Sequence, residues 1–131
     1  MKKSILKTCI QMAISKNNPE SHPEWGNFHH FSFIVQAGKI LSMGFNRQVT
    51  DAPLGYKEYN KLHSEWDVYR RAKGIINRTK GFDVVNVRLN KSNGVRLSKP
   101  CVCCYNFLQG IDNCGHIYFT TDAGWAKIPA L

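Results

Sequence analysis

No stretch of this sequence approaches the roughly 18 consecutive apolar residues that a membrane-spanning helix needs, so no membrane association is expected. Acidic side chains are scarce: nine Asp and Glu stand against eighteen Lys and Arg, a formal net charge of +9. A domain this basic attracts nucleic acid or small anionic substrates. Internal repeats and low-complexity tracts are absent, which excludes solenoid architectures. The cysteines do not suit a secreted disulfide scaffold either. There are five, an odd number, and Cys101, Cys103 and Cys104 fall within four positions. Such clustering points to metal binding or thiol reactivity in a reducing compartment. Met1-Lys2-Lys3 opens like a secretory leader, yet Lys7 and Gln11 interrupt the apolar stretch and no small-x-small cleavage pattern follows. A cytoplasmic location is therefore expected. What is present is ordinary for one globular domain spanning residues 1–131, with 43% hydrophobic and 11% aromatic residues.

Periodicity divides the chain into alternating elements. Ile5, Leu6, Cys9, Ile10 and Ala13 recur at helical spacing, predicting a helix over 3–16 that Asn17-Asn18-Pro19 ends. Two β-like stretches, 28–36 and 40–46, flank the glycine-containing connection 37–39. Residues 47–62 show no clear period and read as a long loop. A second helix is predicted over 63–77, with Val68, Ala72, Ile75 and Ile76 as its buried stripe. Strand character returns over 84–97, broken by an Asn93-Gly94 turn. Pro100 suits the first position of a third helix reaching Leu108, with Gly110 as its stop. Short strands are expected at 116–121 and 125–129. The predicted fold is α/β, a three-layer α/β/α sandwich around a single mixed sheet of four to five strands.

Two segments carry the chemistry: His63-Ser64-Glu65 and Pro100-Cys101-Val102-Cys103-Cys104. One imidazole and two thiolates make three protein ligands for Zn2+, leaving the fourth tetrahedral position for water. A free carboxylate beside such a site can shuttle protons. Cys101 and Cys104, three residues apart, share a helix face, whereas Cys103 is turned about 200° from Cys101. The metal set is therefore His63, Cys101 and Cys104, with Glu65 catalytic and Cys103 a packing thiol. His63 and Glu65 are two apart and cannot share a face of a regular helix. One of them must lie on the non-helical entry to the second helix.

H-x-E followed by P-C-x-x-C is the signature of zinc-dependent nucleobase deaminases, and the chain resembles the cytidine deaminase-like superfamily. The resemblance implies that His63, Cys101 and Cys104 hold Zn2+, that Glu65 is the proton shuttle, and that Pro100 shapes the helix entry. It also implies that Asn46, ending the second strand, contacts a nucleoside. Ser98-Lys99-Pro100-Cys101, with Tyr118-Phe119-Thr120-Thr121 downstream, is similar to small, poorly sorted members, phage-borne ones included. Superfamily members often assemble, so a homo-oligomer is an expectation of the resemblance. The short stretch after the fourth strand fits a hairpin ending like that of free-cytidine deaminases. Gly44-Phe45-Asn46-Arg47 looks more like the tRNA and polynucleotide branches. Both alternatives stay open here.

Charge bears on the substrate. Residues 57–99 hold eleven Lys and Arg against four Asp and Glu, and so supply +7 of the net charge. Arg70, Arg71 and Lys73 follow the metal motif, and Tyr56, Lys57, Tyr59, Lys61 and Trp66 interleave aromatics with cations. Aromatic platforms beside phosphate-binding cations suit single-stranded nucleic acid. Candidate substrate contacts are Asn46, Tyr56, Tyr59, Trp66, Arg70, Lys99 and Pro100. The expected activity is zinc-dependent deamination of cytosine to uracil in single-stranded DNA or RNA. The alternatives are a free cytidine, deoxycytidine or dCMP deaminase, then a tRNA adenosine deaminase, or a non-catalytic zinc-stabilised nucleic-acid-binding module.

Overall fold

The two central strands carry apolar side chains on both faces, so the sheet must be covered on both sides. A computed structural model describes residues 1–17, 28–48 and 61–130. In chain order the elements are α1 (Lys3–Lys16), β1 (Phe28–Gln36), β2 (Lys39–Phe45), β3 (Arg47–Gln48), β4 (Lys61–Leu62), α2 (Ser64–Ala72), β5 (Phe82–Asn90), β6 (Val95–Arg96), α3 (Val102–Gln109), β7 (Cys114–Thr121) and β8 (Gly124–Pro129). The main sheet runs β2-β1-β5-β7-β8, with β6 paired to β5. It is mixed: β5 and β7 are parallel, and β2–β1, β1–β5 and β7–β8 are antiparallel.

Side-chain alternation along each strand assigns the layers. Phe31, Phe33 and Val35 of β1 and Val85, Val87 and Leu89 of β5 bury against Leu6, Cys9 and Ala13 of α1. On the opposite face, Ile34 and Val84 pack with Val68 and Ala72 of α2 and Leu108 of α3. The three-layer α/β/α sandwich is as the residue pattern predicts. Among the described residues, no helix is long and apolar enough to cross a membrane.

Several boundaries differ from the sequence reading. The β1–β2 connection is the two-residue turn Ala37-Gly38, both at positive φ (52° and 75°), the hand that matches strand twist. A two-residue ladder, β3 with β4, lies within the segment read as loop, and β6 adds a short sixth strand to the sheet. Helix α2 stops at Ala72 rather than 77, before Gly74, and Ile75 is 61% exposed rather than part of a buried stripe. Pro100 is not the first helical residue. Cys101 is the N-cap of α3, in extended conformation, and Pro100 precedes it. His29 is fully buried with its Nδ1 facing the amide oxygen of Asn17, the C-cap of α1, and His30 is half-buried.

Candidate metal centre and proton shuttle

Three side chains from two helix N-termini converge. His63 is the N-cap of α2, with extended φ/ψ of −72°/155°, so the helix begins at Ser64 and the geometric demand of the H-x-E spacing is met. As N-cap it makes no side-chain hydrogen bond to the helix. Its Nδ1 instead lies 3.6 Å from Cys101 Sγ and 3.4 Å from Cys104 Sγ. Zinc bonds of about 2.0–2.1 Å to nitrogen and 2.3 Å to sulfur at a tetrahedral angle would set N and S about 3.6 Å apart. The donor set therefore fits zinc in both chemistry and separation. All three ligand atoms lie within 4.8 Å of one another, and among the described residues no other His, Cys or carboxylate joins them. Cys101 Sγ also accepts the Cys104 N–H at 3.4 Å, which holds the two sulfurs over the first turn of α3.

The approach to Cys101 is pinned by Ser98. Its N–H donates to Thr120 O at 2.9 Å, its hydroxyl donates to Asn86 O at 2.8 Å, and Thr120 N–H donates to its Oγ at 2.7 Å. Strands β5 and β7 thus fix the chain three residues before the first thiol.

Glu65 is buried, 5% exposed, on the sheet side of α2. Ser64 Oγ donates to its Oε1 at 3.1 Å, and Asn86 Nδ2 donates to its Oε2 at 3.1 Å. Ser32 Oγ lies 2.7 Å from Ser64 Oγ and donates to Asn86 Oδ1 at 2.6 Å. Ser32, Ser64 and Asn86 were not singled out from sequence. A signal did exist: Ser32 lies between Phe31 and Phe33, and Asn86 between Val85 and Val87, each a polar residue flanked on both sides by apolar ones in the middle of a strand.

Helix α2 is seated by two further contacts. The buried Asp67 carboxylate accepts Phe45 N–H at 3.1 Å and Arg71 Nε at 2.9 Å, tying the helix to the end of β2. Gly44 lets the helix backbone approach that strand, since a Cβ there would lie 2.4 Å from Val68 N.

The remaining sequence candidates are spread around this centre. Asn46 is anchored on β1: its Oδ1 accepts His30 N–H at 3.0 Å, and its N–H donates to His30 O at 3.2 Å. One face of the Trp66 ring stacks on Phe107, centroids 3.8 Å apart and planes within 14°. Arg70 is exposed on α2. Lys99 and Pro100 line a groove of about 360 Å³ with Val102, Tyr105, Ile128 and Pro129, and none of His63, Glu65, Cys101 or Cys104 lines it. Tyr56 and Tyr59 lie outside the described residues.

Two groups give measurable consequences. Burial holds the Cys9 and Cys114 thiols up at about 12, so neither forms thiolate at working pH. Iodoacetamide on the native metal-free chain is expected to label at most Cys101, Cys103 and Cys104, and zinc loading to reduce this to Cys103, as read by intact-protein mass spectrometry. His30 is pushed down from 6.5 to about 4, first by burial and then by Arg88, His63 and His29. Folding favours its neutral form, so the unfolded chain binds more protons between these values. Stability is present in full above pH 6.5 and falls as pH drops toward 4, by on the order of 3 kcal/mol. Urea titrations at pH 7 and 4.5 of the wild type and His30→Gln should show the smaller pH effect in the variant.

No protein-family model and no curated protein matches the sequence. Solved structures do match. The apo dCMP deaminase of cyanophage S-TIM5 aligns with TM-score 0.60 and 15% identity over 92% of this chain and 86% of that one. The same enzyme with dCMP and dUMP aligns with TM-score 0.56 and 15% identity, over 88% and 79%. Cytidine deaminase from Burkholderia pseudomallei aligns with TM-score 0.60 and 18% identity over 99% and 94%. The chain has the cytidine deaminase-like fold. Within that fold, the His63-Ser64-Glu65 and Pro100–Cys104 motifs sit at the N-termini of the two helices that share one face of the sheet.

Proposed function

We propose that the protein is a zinc-dependent hydrolytic deaminase of cytosine in a nucleoside or nucleotide. The observation that carries this reading is the convergence of His63 Nδ1, Cys101 Sγ and Cys104 Sγ within 4.8 Å, with the carboxylate of the buried Glu65 two residues from the imidazole. His63, Cys101 and Cys104 would hold the ion, and zinc when bound supplies a Lewis acid that promotes ionisation of water at neutral pH. Glu65 accepts a proton from the attacking water, delivers it to the ring nitrogen, and assists departure of the C4 amino group as ammonia. Water and cytosine thus yield uracil and ammonia. Asn46 would meet the sugar through its amide nitrogen, because its oxygen is held by His30.

A small substrate is supported by two features. Strands β7 and β8 are antiparallel neighbours joined by a tight connection, the hairpin that the resemblance associates with free-cytidine deaminases, and the similar structures are of dCMP and cytidine deaminases. The second reading, cytosine in single-stranded DNA or RNA, rests on the +7 net charge of residues 57–99 and on Tyr56 and Tyr59 interleaved with Lys57 and Lys61.

Mass spectrometry of products from zinc-loaded protein tests these readings. The panel is cytidine, deoxycytidine, dCMP, adenosine, single-stranded DNA and RNA, and tRNA. Conversion of the first three supports the small-substrate reading, and conversion of polynucleotides alone supports the second. No product from any member, with zinc bound, overturns the deaminase assignment and leaves a zinc-stabilised binding module.

A further inference from the structure

Ser32 and Asn86 are direct register partners on β1 and β5, both buried on the face that α2 covers. Burying a hydroxyl and an amide on a face otherwise built of Ile34, Val84, Val68 and Ala72 is costly unless each is hydrogen-bonded. Their hydrogen bonds lead to Glu65. The direction of each bond follows from the donors available. Asn86 Nδ2 faces the Ser98 carbonyl at 3.3 Å as well as Glu65 Oε2 at 3.1 Å. A carbonyl only accepts, so the nitrogen must sit on that side and Oδ1 must face Ser32. The Ser32 hydroxyl therefore donates to Asn86 Oδ1 and can only accept from Ser64. Ser64 then has one proton and two acceptors, Glu65 Oε1 at 3.1 Å and Ser32 Oγ at 2.7 Å.

We propose that Ser32, Ser64 and Asn86 are positioning residues that hold the Glu65 carboxyl in one orientation for its proton transfer. As a carboxylate, Glu65 accepts from Ser64 and from Asn86. Ser64 and Asn86 each rest in turn on Ser32, so both carboxylate oxygens are held by donors that are themselves held.

The inference rests on the deaminase reading for its chemistry, so the test carries a readout independent of turnover. The chain has four glutamates, Glu20, Glu24, Glu58 and Glu65. Glutamate labelled with 13C at the carboxyl carbon gives four resonances, and Glu65→Gln identifies that of Glu65. In zinc-loaded Ser32→Ala and Asn86→Ala, this resonance is expected to shift or broaden. Turnover should fall about 10–100-fold, with KM and zinc content within about twofold. Ser32→Thr, which keeps the hydroxyl, is expected to restore both. If Asn86→Ala fails to fold, Ser32→Ala, which deletes one oxygen atom, decides alone. An unmoved resonance with wild-type turnover in Ser32→Ala overturns the proposal. A moved resonance in a protein that deaminates nothing overturns the deaminase reading and leaves the positioning intact.

Discussion

Glu65→Gln is expected to lower deamination about 10²–10⁴-fold while zinc content and folding stay close to wild type. The surroundings of Glu65 make the separation clean. Gln keeps the shape of the side chain, its oxygen can accept from Asn86 Nδ2, and its nitrogen can donate to Ser64 Oγ, whose hydroxyl turns to Ser32. These are the bonds available to a protonated Glu65, so the buried network stays satisfied. What is lost is the ability to take up and release a proton. Product formation by mass spectrometry, zinc by atomic emission and the unfolding midpoint together check it. Wild-type turnover in the variant would remove Glu65 from the chemistry. Loss of zinc would assign it a role in holding the metal.

Gly44→Ala is expected to be more damaging than a methyl group added at any other described glycine. An added Cβ would lie 2.4 Å from Val68 N, 2.7 Å from Val68 Cα and 2.9 Å from Val68 Cβ. Two of these atoms are helix backbone, which cannot swing aside as a flexible side chain can. Either α2 lifts from β2 or the strand bends, at a cost of about 3 kcal/mol and a melting temperature lower by roughly 10 °C. Because α2 carries His63 at its N-cap and Glu65 in its first turn, zinc occupancy should fall too. Gly74→Ala is the control, since its added Cβ would meet nothing within 4 Å. Equal stability of the two variants would show that α2 is not seated through Gly44.

The candidate ligand set was readable before any folding because metal chemistry depends on residue type and short spacing. His63 with Glu65, and Cys101 with Cys104, are local patterns, and the requirement that His63 precede the helix follows from their two-residue offset. The hairpin and the three helices were readable for a similar reason, as hydrophobic period and turn residues act over a few positions. Element ends were less legible. Helix α2 stops at Ala72 because Gly74 is poorly held without packing beyond it, and Pro100 precedes α3 instead of opening it because Cys101 is the cap, its sulfur taking the Cys104 N–H.

The sequence by itself determined the chemistry on offer: three soft and borderline ligands for zinc, a carboxylate beside them, and a strongly basic surface, all properties of residue type. Only the tertiary structure decided that these groups meet. Cys101 lies 38 residues from His63, and Ser32 lies 54 from Asn86. Their approach is set by β1–β5 register, by α2 seating on Gly44 and by Ser98 pinned between β5 and β7, packing relations between segments remote in the chain. The same packing turned two unremarkable polar strand residues into the hydrogen-bonded support of Glu65, because strand register places Ser32 opposite Asn86 and the seating of α2 brings its first turn over both.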